Sequence, residues 1–208
     1  MDCSGTEKIA LTLKSWTKGL DHSEKHISVF NHVRDIPYAL IPELMNPYTG
    51  PQDMLACQKG SCSPKHFLLG KMFQLLNIPV RYVSFVFSWK DQALTWPAGL
   101  KRKAAKLPPD YHLACKAYIR GQWRLLDATW DTPLKAAGAE VNDFWDGKSD
   151  TVNAVKPLER IMHDNAEARM RYVFSRESLF SEENNLAREK FGLALNDWLE
   201  KIRAHKYV

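Results

Sequence analysis

Three residues of this sequence have the chemistry of a covalent catalyst: a cysteine at a helix start, a histidine opening a strand and an aspartate in the strand after it. Gly60-Ser61-Cys62-Ser63-Pro64 delivers Cys62 to the point where a helix begins. Pro64 suits the first helical turn, where its missing N–H costs little. A thiol placed there faces unpaired backbone N–H groups and the positive end of the helix dipole, and both favour the nucleophilic thiolate. Such a nucleophile needs a base, and the base needs an orienting group. His112 and Asp127 supply those two types.

Whether the pair can meet is a question of register. His112 and Asp127 lie 15 positions apart, and in an antiparallel hairpin without bulges an odd separation puts both on one face. A two-residue turn at Gly121-Gln122 pairs His112 with Asp131 and leaves Asp127 roughly 13 Å along the strand. A four-residue connection pairs His112 with Thr129 and makes Asp127 its diagonal neighbour, about 7–8 Å away between backbones. A six-residue connection sets the two directly opposite. The pair therefore requires a connection of four or more residues. A rival use of the same region is tetrahedral zinc held by Cys57, Cys62 and His66 with Cys115 or His112. Its C-x4-C spacing lies at the edge of the usual range, and no second paired motif completes it.

The elements that position these residues follow from hydrophobic period and punctuation. Residues 7–34 read as two helical runs, with Ile9, Leu13, Trp16 and Leu20 on one face and Ile27, Phe30 and Val33 on the next. Asp21 or Ser23 caps the second run, and Asp35-Ile36-Pro37-Tyr38 ends it. Residues 39–60 are loop with one short helix over 54–58 capped by Asp53. Leu68, Leu69, Met72, Leu75 and Leu76 give the Cys62 helix one apolar face up to Asn77 and Pro79. A strand over 80–89 is apolar on both faces (Val80, Val83, Phe85, Val86, Phe87). Residues 90–110 read as an irregular segment suited to a lid or binding loop. Strands over 112–120 and 123–129 follow, then a loop-rich stretch over 131–157. Residues 158–178 have helical character early and a strand-like Tyr172-Val173-Phe174 late. The final helix, 182–205, carries Leu195, Trp198, Leu199 and Ile202 and is capped by Ser181.

Composition bounds the rest. A chain of 208 residues supports one domain with a real core. No apolar run reaches membrane-spanning length. Met1-Asp2-Cys3-Ser4-Gly5-Thr6-Glu7 has neither a basic nor an apolar leader region, so no secretory signal is expected. Four cysteines, Cys3, Cys57, Cys62 and Cys115, make no disulfide framework, and a reducing, cytoplasmic location is expected. Cys3 is expected to titrate normally, with Cys57 and Cys115 shielded. The net charge of +5 is a mild excess, and Lys101-Arg102-Lys103 with Lys106 is its one dense cluster. Without interleaved aromatics that cluster reads as a solvated face, and specific nucleic-acid binding is not expected.

With these residues in place, the chain resembles the transglutaminase-like superfamily, which shares its core with papain-like cysteine proteases. The resemblance spans about residues 25–131. One block is Gly60-Ser61-Cys62 with its helix and Asn77-Ile78-Pro79-Val80-Arg81-Tyr82-Val83; the second is Tyr111-His112-Leu113-Ala114-Cys115-Lys116-Ala117-Tyr118; the third is Trp123-Arg124-Leu125-Leu126-Asp127-Ala128-Thr129. His32-Val33-Arg34-Asp35-Ile36-Pro37-Tyr38 resembles the helix end that precedes the core. Two positions depart from the pattern, Ala114 and Lys116, where members often carry Trp and Glu. Nothing resembles the calcium sites of animal transglutaminases.

The resemblance implies an α+β fold with a papain/transglutaminase-like core, the nucleophile helix packed on an antiparallel sheet, and flanking N- and C-terminal helices. It implies a single domain over 1–208, with a C-terminal helical extension over about 158–208. Cys62 is then the nucleophile, His112 the base and Asp127 the orienting acid of an acyl-transfer enzyme working through a thioester. A peptidase or amidase acting on a peptide, protein or other amide or ester is the first expectation, and no cofactor is expected. The alternatives are a protein-glutamine transferase and an inactive binding or scaffold module. Gln58 is the candidate side-chain donor to the oxyanion beside the Cys62 N–H. Trp96, in the 90–110 segment, is the candidate substrate-binding residue.

Overall fold

A computed structural model describes residues 3–204, with side chains from residue 5 onward. The expectation for the Cys3 thiol falls outside the described side chains. Helices α1 (Cys3–Trp16) and α2 (His22–Asp35) are separated by a full capping box. The Asp21 carboxylate accepts the N–H groups of Ser23 and Glu24, and the Glu24 carboxylate accepts the Asp21 N–H. Helix α3 (Gly50–Cys57) starts earlier than expected because Pro51 occupies its first turn. Asp53 therefore lies inside the helix and is not its cap.

Helix α4 (Cys62–Leu75) is more deeply placed than one apolar face implies. Every residue from Cys62 to Gly70 is buried, including Lys65 and His66. Helices α1, α2 and α3 cover one side of it and the sheet covers the other. A helix enclosed on all sides needs no amphipathic stripe over that stretch. Gly70 lets it lie on the sheet, since a Cβ there would meet the Tyr82 hydroxyl at 2.3 Å. Asn77, at φ 60°, closes the helix, with the Ile78 N–H bonded to the Phe73 carbonyl at 2.9 Å.

Four antiparallel strands run in the order β3-β2-β1-β4: β1 (Val80–Phe87), β2 (Asp110–Ile119), β3 (Gln122–Leu126) and β4 (Pro157–His163). Both faces of the central strands are buried. Tyr82, Leu113 and Cys115 join the core around α4. Val83, Phe85 and Ala114 join a second core with Phe191, Leu195 and Trp198 of α7 (Glu182–Arg203). This is the α+β arrangement expected from the sequence, with the Cys62 helix on an antiparallel sheet and helices flanking both.

The β2–β3 hairpin corrects one expectation. Its register, Cys115↔Leu126 with Ile119↔Gln122, carries His112 toward Thr129, the alignment assigned above to a four-residue connection. The chain reaches it with a two-residue turn at Arg120-Gly121, one position earlier than Gly121-Gln122. Both turn residues have positive φ, 49° and 80°, as the tight hairpin turn of this twist demands.

Three further corrections concern the ends. Strand β1 stops at Phe87, and Trp89–Asp91 forms a 3-10 turn. Within 90–110 lies helix α5 (Ala98–Ala104), which buries Leu100 and Ala104 and leaves Lys101, Arg102 and Lys103 exposed. Residues 158–178 reverse the expected order, giving β4 first and then helix α6 (Ala166–Glu177). Helix α7 is capped as expected, the Ser181 hydroxyl accepting the Asn184 N–H. Among the described residues no helix is long and apolar enough to cross a membrane.

Candidate active site

Cys62 is the first residue of α4, and the chain entering it is held on both sides. The Gly60 N–H bonds the Pro37 carbonyl and the Ala39 N–H bonds the Gly60 carbonyl, at 3.0 and 3.2 Å. Tyr38 is thereby bridged to the residue two before the thiol. His112 projects from β2, opposite Phe85. Its Nε2 lies 2.7 Å from Asp127 Oδ2. That contact leaves Nδ1 for the Cys62 thiol, which the imidazole hydrogen-bonds. Relative exposures of 8%, 2% and 1% place Cys62, His112 and Asp127 out of bulk water.

Asp127, just past β3, is pinned by the loop after it. Asp127 Oδ2 also accepts the Ala154 N–H at 2.8 Å, and Oδ1 accepts the Thr129 N–H at 3.2 Å. Its own N–H donates to Thr151 Oγ1 and its carbonyl accepts from Asn142 Nδ2. An aspartate so held cannot swing away from the imidazole.

Burial by itself raises a thiol and lowers an imidazole. Here the neighbours win. The charge and hydrogen bond of His112 hold Cys62 below its ordinary value against burial. Burial likewise opposes the charged His112, but Asp127 and Cys62 raise it to about 10. The same imidazole holds Asp127 well below the usual carboxylate range despite its burial. The arrangement favours a thiolate–imidazolium pair near neutral pH. Arg169 adds to the positive field at Cys62. Its side chain is buried, its Nη2 donates to the Tyr111 carbonyl at 3.3 Å, and its guanidinium lies 5.9 Å from the Phe67 ring centroid. Among the described residues its Nε has no hydrogen-bond partner.

Two buried polar residues of α4 support the site and were not assigned this role from sequence. His66 Nε2 accepts the Ala128 N–H at 2.9 Å, which fixes the proton on Nδ1, facing the Cys62 carbonyl at 2.8 Å. Burial draws His66 down to about 4. Lys65 Nζ donates to three carbonyls, Arg34, Ile36 and Thr129, at 2.7–2.8 Å. Burial draws its amine down to about 7. The signal for both is a pair of polar residues one helical turn from Cys62, directly before the apolar run Phe67-Leu68-Leu69.

A cavity of about 420 Å³ opens above Cys62 and His112. Tyr38, Phe87, Trp89 and Trp130 give it aromatic walls. Tyr38 packs against Trp130 with ring centroids 4.5 Å apart and planes tilted by 50°. Burial, and the charges of Cys62, Asp110 and Asp127, push the Tyr38 phenol well above its ordinary value, so it stays protonated.

The structure does not bring Gln58 to this site. It is exposed in a left-handed conformation at the end of α3, and its amide donates to the Leu55 carbonyl at 2.7 Å. Trp96 stands one layer back, 6.3 Å from Trp89 and 6.2 Å from Phe191 between ring centroids, and those two residues line the cavity. Cys57 is exposed, because it ends α3 at the surface, whereas Cys115 is buried. His66 is committed to backbone groups, so the zinc set is not assembled; no group of three metal-ligating side chains occurs among the described residues.

No protein-family profile matches the chain, and no curated protein matches it. Solved structures similar to it include the following two. A candidate cysteine protease from Cytophaga hutchinsonii is 20% identical at a TM-score of 0.43, covering 77% of this chain and 51% of its own. A candidate protease from Parabacteroides distasonis is 23% identical at a TM-score of 0.40, covering 62% of this chain and 24% of its own. The chain thus spans about half the length of the first and a quarter of the second.

Proposed function

We propose that this protein is a cysteine-nucleophile acyl-transfer enzyme, a peptidase or amidase, with Cys62, His112 and Asp127 as its triad. The observation that carries the reading is the buried chain of contacts from Asp127 through His112 to Cys62, lying under a cavity. The resemblance to the transglutaminase-like superfamily rests on the same three residues and points the same way.

His112 takes the Cys62 proton before substrate arrives. The thiolate attacks an amide or ester carbonyl, forming a carbon–sulfur bond, and the carbonyl electrons move onto oxygen. That oxyanion is met by the Cys62 backbone N–H at the free end of α4. Tyr38, kept protonated and lining the same cavity, is the second donor in place of Gln58. Collapse breaks the carbon–nitrogen bond, and the imidazolium gives its proton to the leaving amine. Asp127 keeps the imidazole in the tautomer this transfer requires. Water, deprotonated by His112, then attacks the thioester and releases Cys62; an amine in its place would make the same site a transferase.

A panel of fluorogenic peptide amides and esters, offered to wild type and Cys62→Ala, tests the reading. Turnover by wild type and none by Cys62→Ala is expected. Equal release by both proteins, or no panel member cleaved by a wild-type protein whose Cys62 alkylates no faster than Cys57, would overturn it.

A further inference from the structure

Helix α7 builds one wall of the cavity from a part of the chain outside the core blocks. Its Phe191, Leu195 and Trp198 anchor it in the second core. Its neighbouring positions Asn185, Arg188, Glu189, Gly192 and Leu193 border the cavity. Beside Cys62 and His112 the lining is apolar and aromatic: Met45 Sδ lies 3.6 Å from Ser61 Oγ, and the Phe87 ring centroid lies 6.5 Å from that of His112. Hydroxyl-bearing residues interrupt it, among them Tyr38, Ser61 and Thr129. The Thr129 hydroxyl is buried on the cavity wall and has no hydrogen-bond partner among the described residues.

The α7 side has a different chemistry. Asp110, Glu177 and Glu189 border it with a single guanidinium, Arg188, a formal sum of −2 in a chain whose net charge is +5. Arg188 is already spent: it pairs with Asp110 at 3.4 Å and with Glu177. Glu189 is exposed, with no ion pair among the described residues. A substrate anion entering here meets three carboxylates and a guanidinium that is occupied; a cation meets a complementary field.

We infer that the preferred acyl donor is a short peptide with a bulky apolar side chain beside the scissile carbonyl and a positively charged group one residue further out, toward α7. This rests on the acyl-transfer reading above. The volume, at the lower end of the about 300–1,000 Å³ typical of ligand sites, suits one large side chain and its flanking backbone.

Acetyl-lysyl-phenylalanyl, acetyl-glutamyl-phenylalanyl and acetyl-lysyl-aspartyl aminocoumarin amides test it in two ways. One is release of aminocoumarin by wild type. The other is equilibrium binding to Cys62→Ala, followed by the fluorescence of Trp89 and Trp130. The lysyl-phenylalanyl amide should exceed the glutamyl one by about tenfold, a gap that narrows with salt. It should exceed the aspartyl one by about a hundredfold, since a carboxylate cannot be buried unpaired in that pocket. Glu189→Lys, at an exposed position, brings the mouth to a formal sum of zero and should erase the first gap while keeping the second. Equal binding of all three peptides, or preference for the glutamyl one, overturns the inference. Ordered binding to Cys62→Ala without turnover by wild type would sink the acyl-transfer reading and leave the pocket assignment standing; unselective turnover does the reverse.

Discussion

His66 and His112 lie on two sides of one carboxylate, and their surroundings drive them to opposite charge states. Both are buried, and their rings stand edge to face with centroids 6.1 Å apart. His112 Nε2 touches Asp127 Oδ2 at 2.7 Å and its other nitrogen faces a thiol, so both ring positions are best filled by protons. His66 Nε2 is 3.7 Å from Asp127 Oδ1, too long for a hydrogen bond, and is required as an acceptor by the Ala128 N–H. The lesson is that proximity to a carboxylate does not make an imidazolium. The partner of the second nitrogen decides. The helix side of Asp127 is scaffold, and the strand side is where a proton can move.

The strongest way to break this contrast is Asp127→Asn. On the strand side it should leave the fold intact yet cut turnover by about 10⁴-fold, because an amide favours the wrong imidazole tautomer. Steady-state rates beside an unchanged circular dichroism spectrum would read this. A loss under tenfold would mean that Asp127 is structural on both sides.

Thiol reactivity comes next. At about pH 6, iodoacetamide should modify buried Cys62 ahead of exposed Cys57, and His112→Ala should abolish that order, since the helix end is the weaker influence. Peptide mapping after brief labelling decides it. Arg169→Gln should shift the pH midpoint of Cys62 labelling upward by a smaller step than His112→Ala does, and Arg169→Lys should restore most of it.

Stability against pH separates the two histidines. His112 is raised to about 10, so the stability it contributes is complete below its unfolded value of about 6.5 and is lost as pH rises through its folded one. His66 is lowered to about 4, so its contribution is complete above about 6.5 and is lost as pH falls through about 4. In a Cys62→Ala background, where no thiol titrates against the imidazole, His112→Gln should flatten the alkaline limb of a urea-midpoint profile. His66→Gln should flatten the acid limb. Lys65 also titrates in the alkaline window with the opposite sign, so the difference between variants is the quantity to read. Both substitutions flattening one limb would refute the contrast. His66→Leu, which leaves the Ala128 N–H and the Cys62 carbonyl without their partner, should cost about 1–3 kcal/mol of unfolding free energy. The smallest expected effect is that of Gln58→Ala: no change in labelling or turnover, its amide being spent on Leu55 at the surface.

Much of this was legible in the sequence because it is set locally. Helix-start chemistry marked Cys62, and strand parity put His112 and Asp127 on one face. What failed depended on tertiary context. Arg120 adopts a left-handed conformation that its side chain does not advertise, so the turn was placed one residue late. β4 is an edge strand with five of seven residues exposed, which erases the alternation that reveals a strand. Tyr172-Val173-Phe174 has strand-like composition, yet only Val173 is buried, and Phe174 is 73% exposed on a helix. Tyr38 and Thr129 are ordinary residues in sequence; only the folded chain brings both to the wall of the cavity.

Arg203, in the last turn of α7, grips Asp131 with two nitrogens at 2.8 Å and the Tyr38 carbonyl at 2.8 Å, while Asp131 Oδ1 accepts the Tyr38 N–H. This clasp has a consequence for biosynthesis. Cys62, His112 and Asp127 have all been made once the ribosome passes Asp127, but the Ala154 clamp, the α7 wall and the tether on Tyr38 are made afterwards. A nascent chain therefore carries all three residues for more than seventy residues of synthesis before the cleft around them can close. The clasp is thus the last part of the cleft to be made.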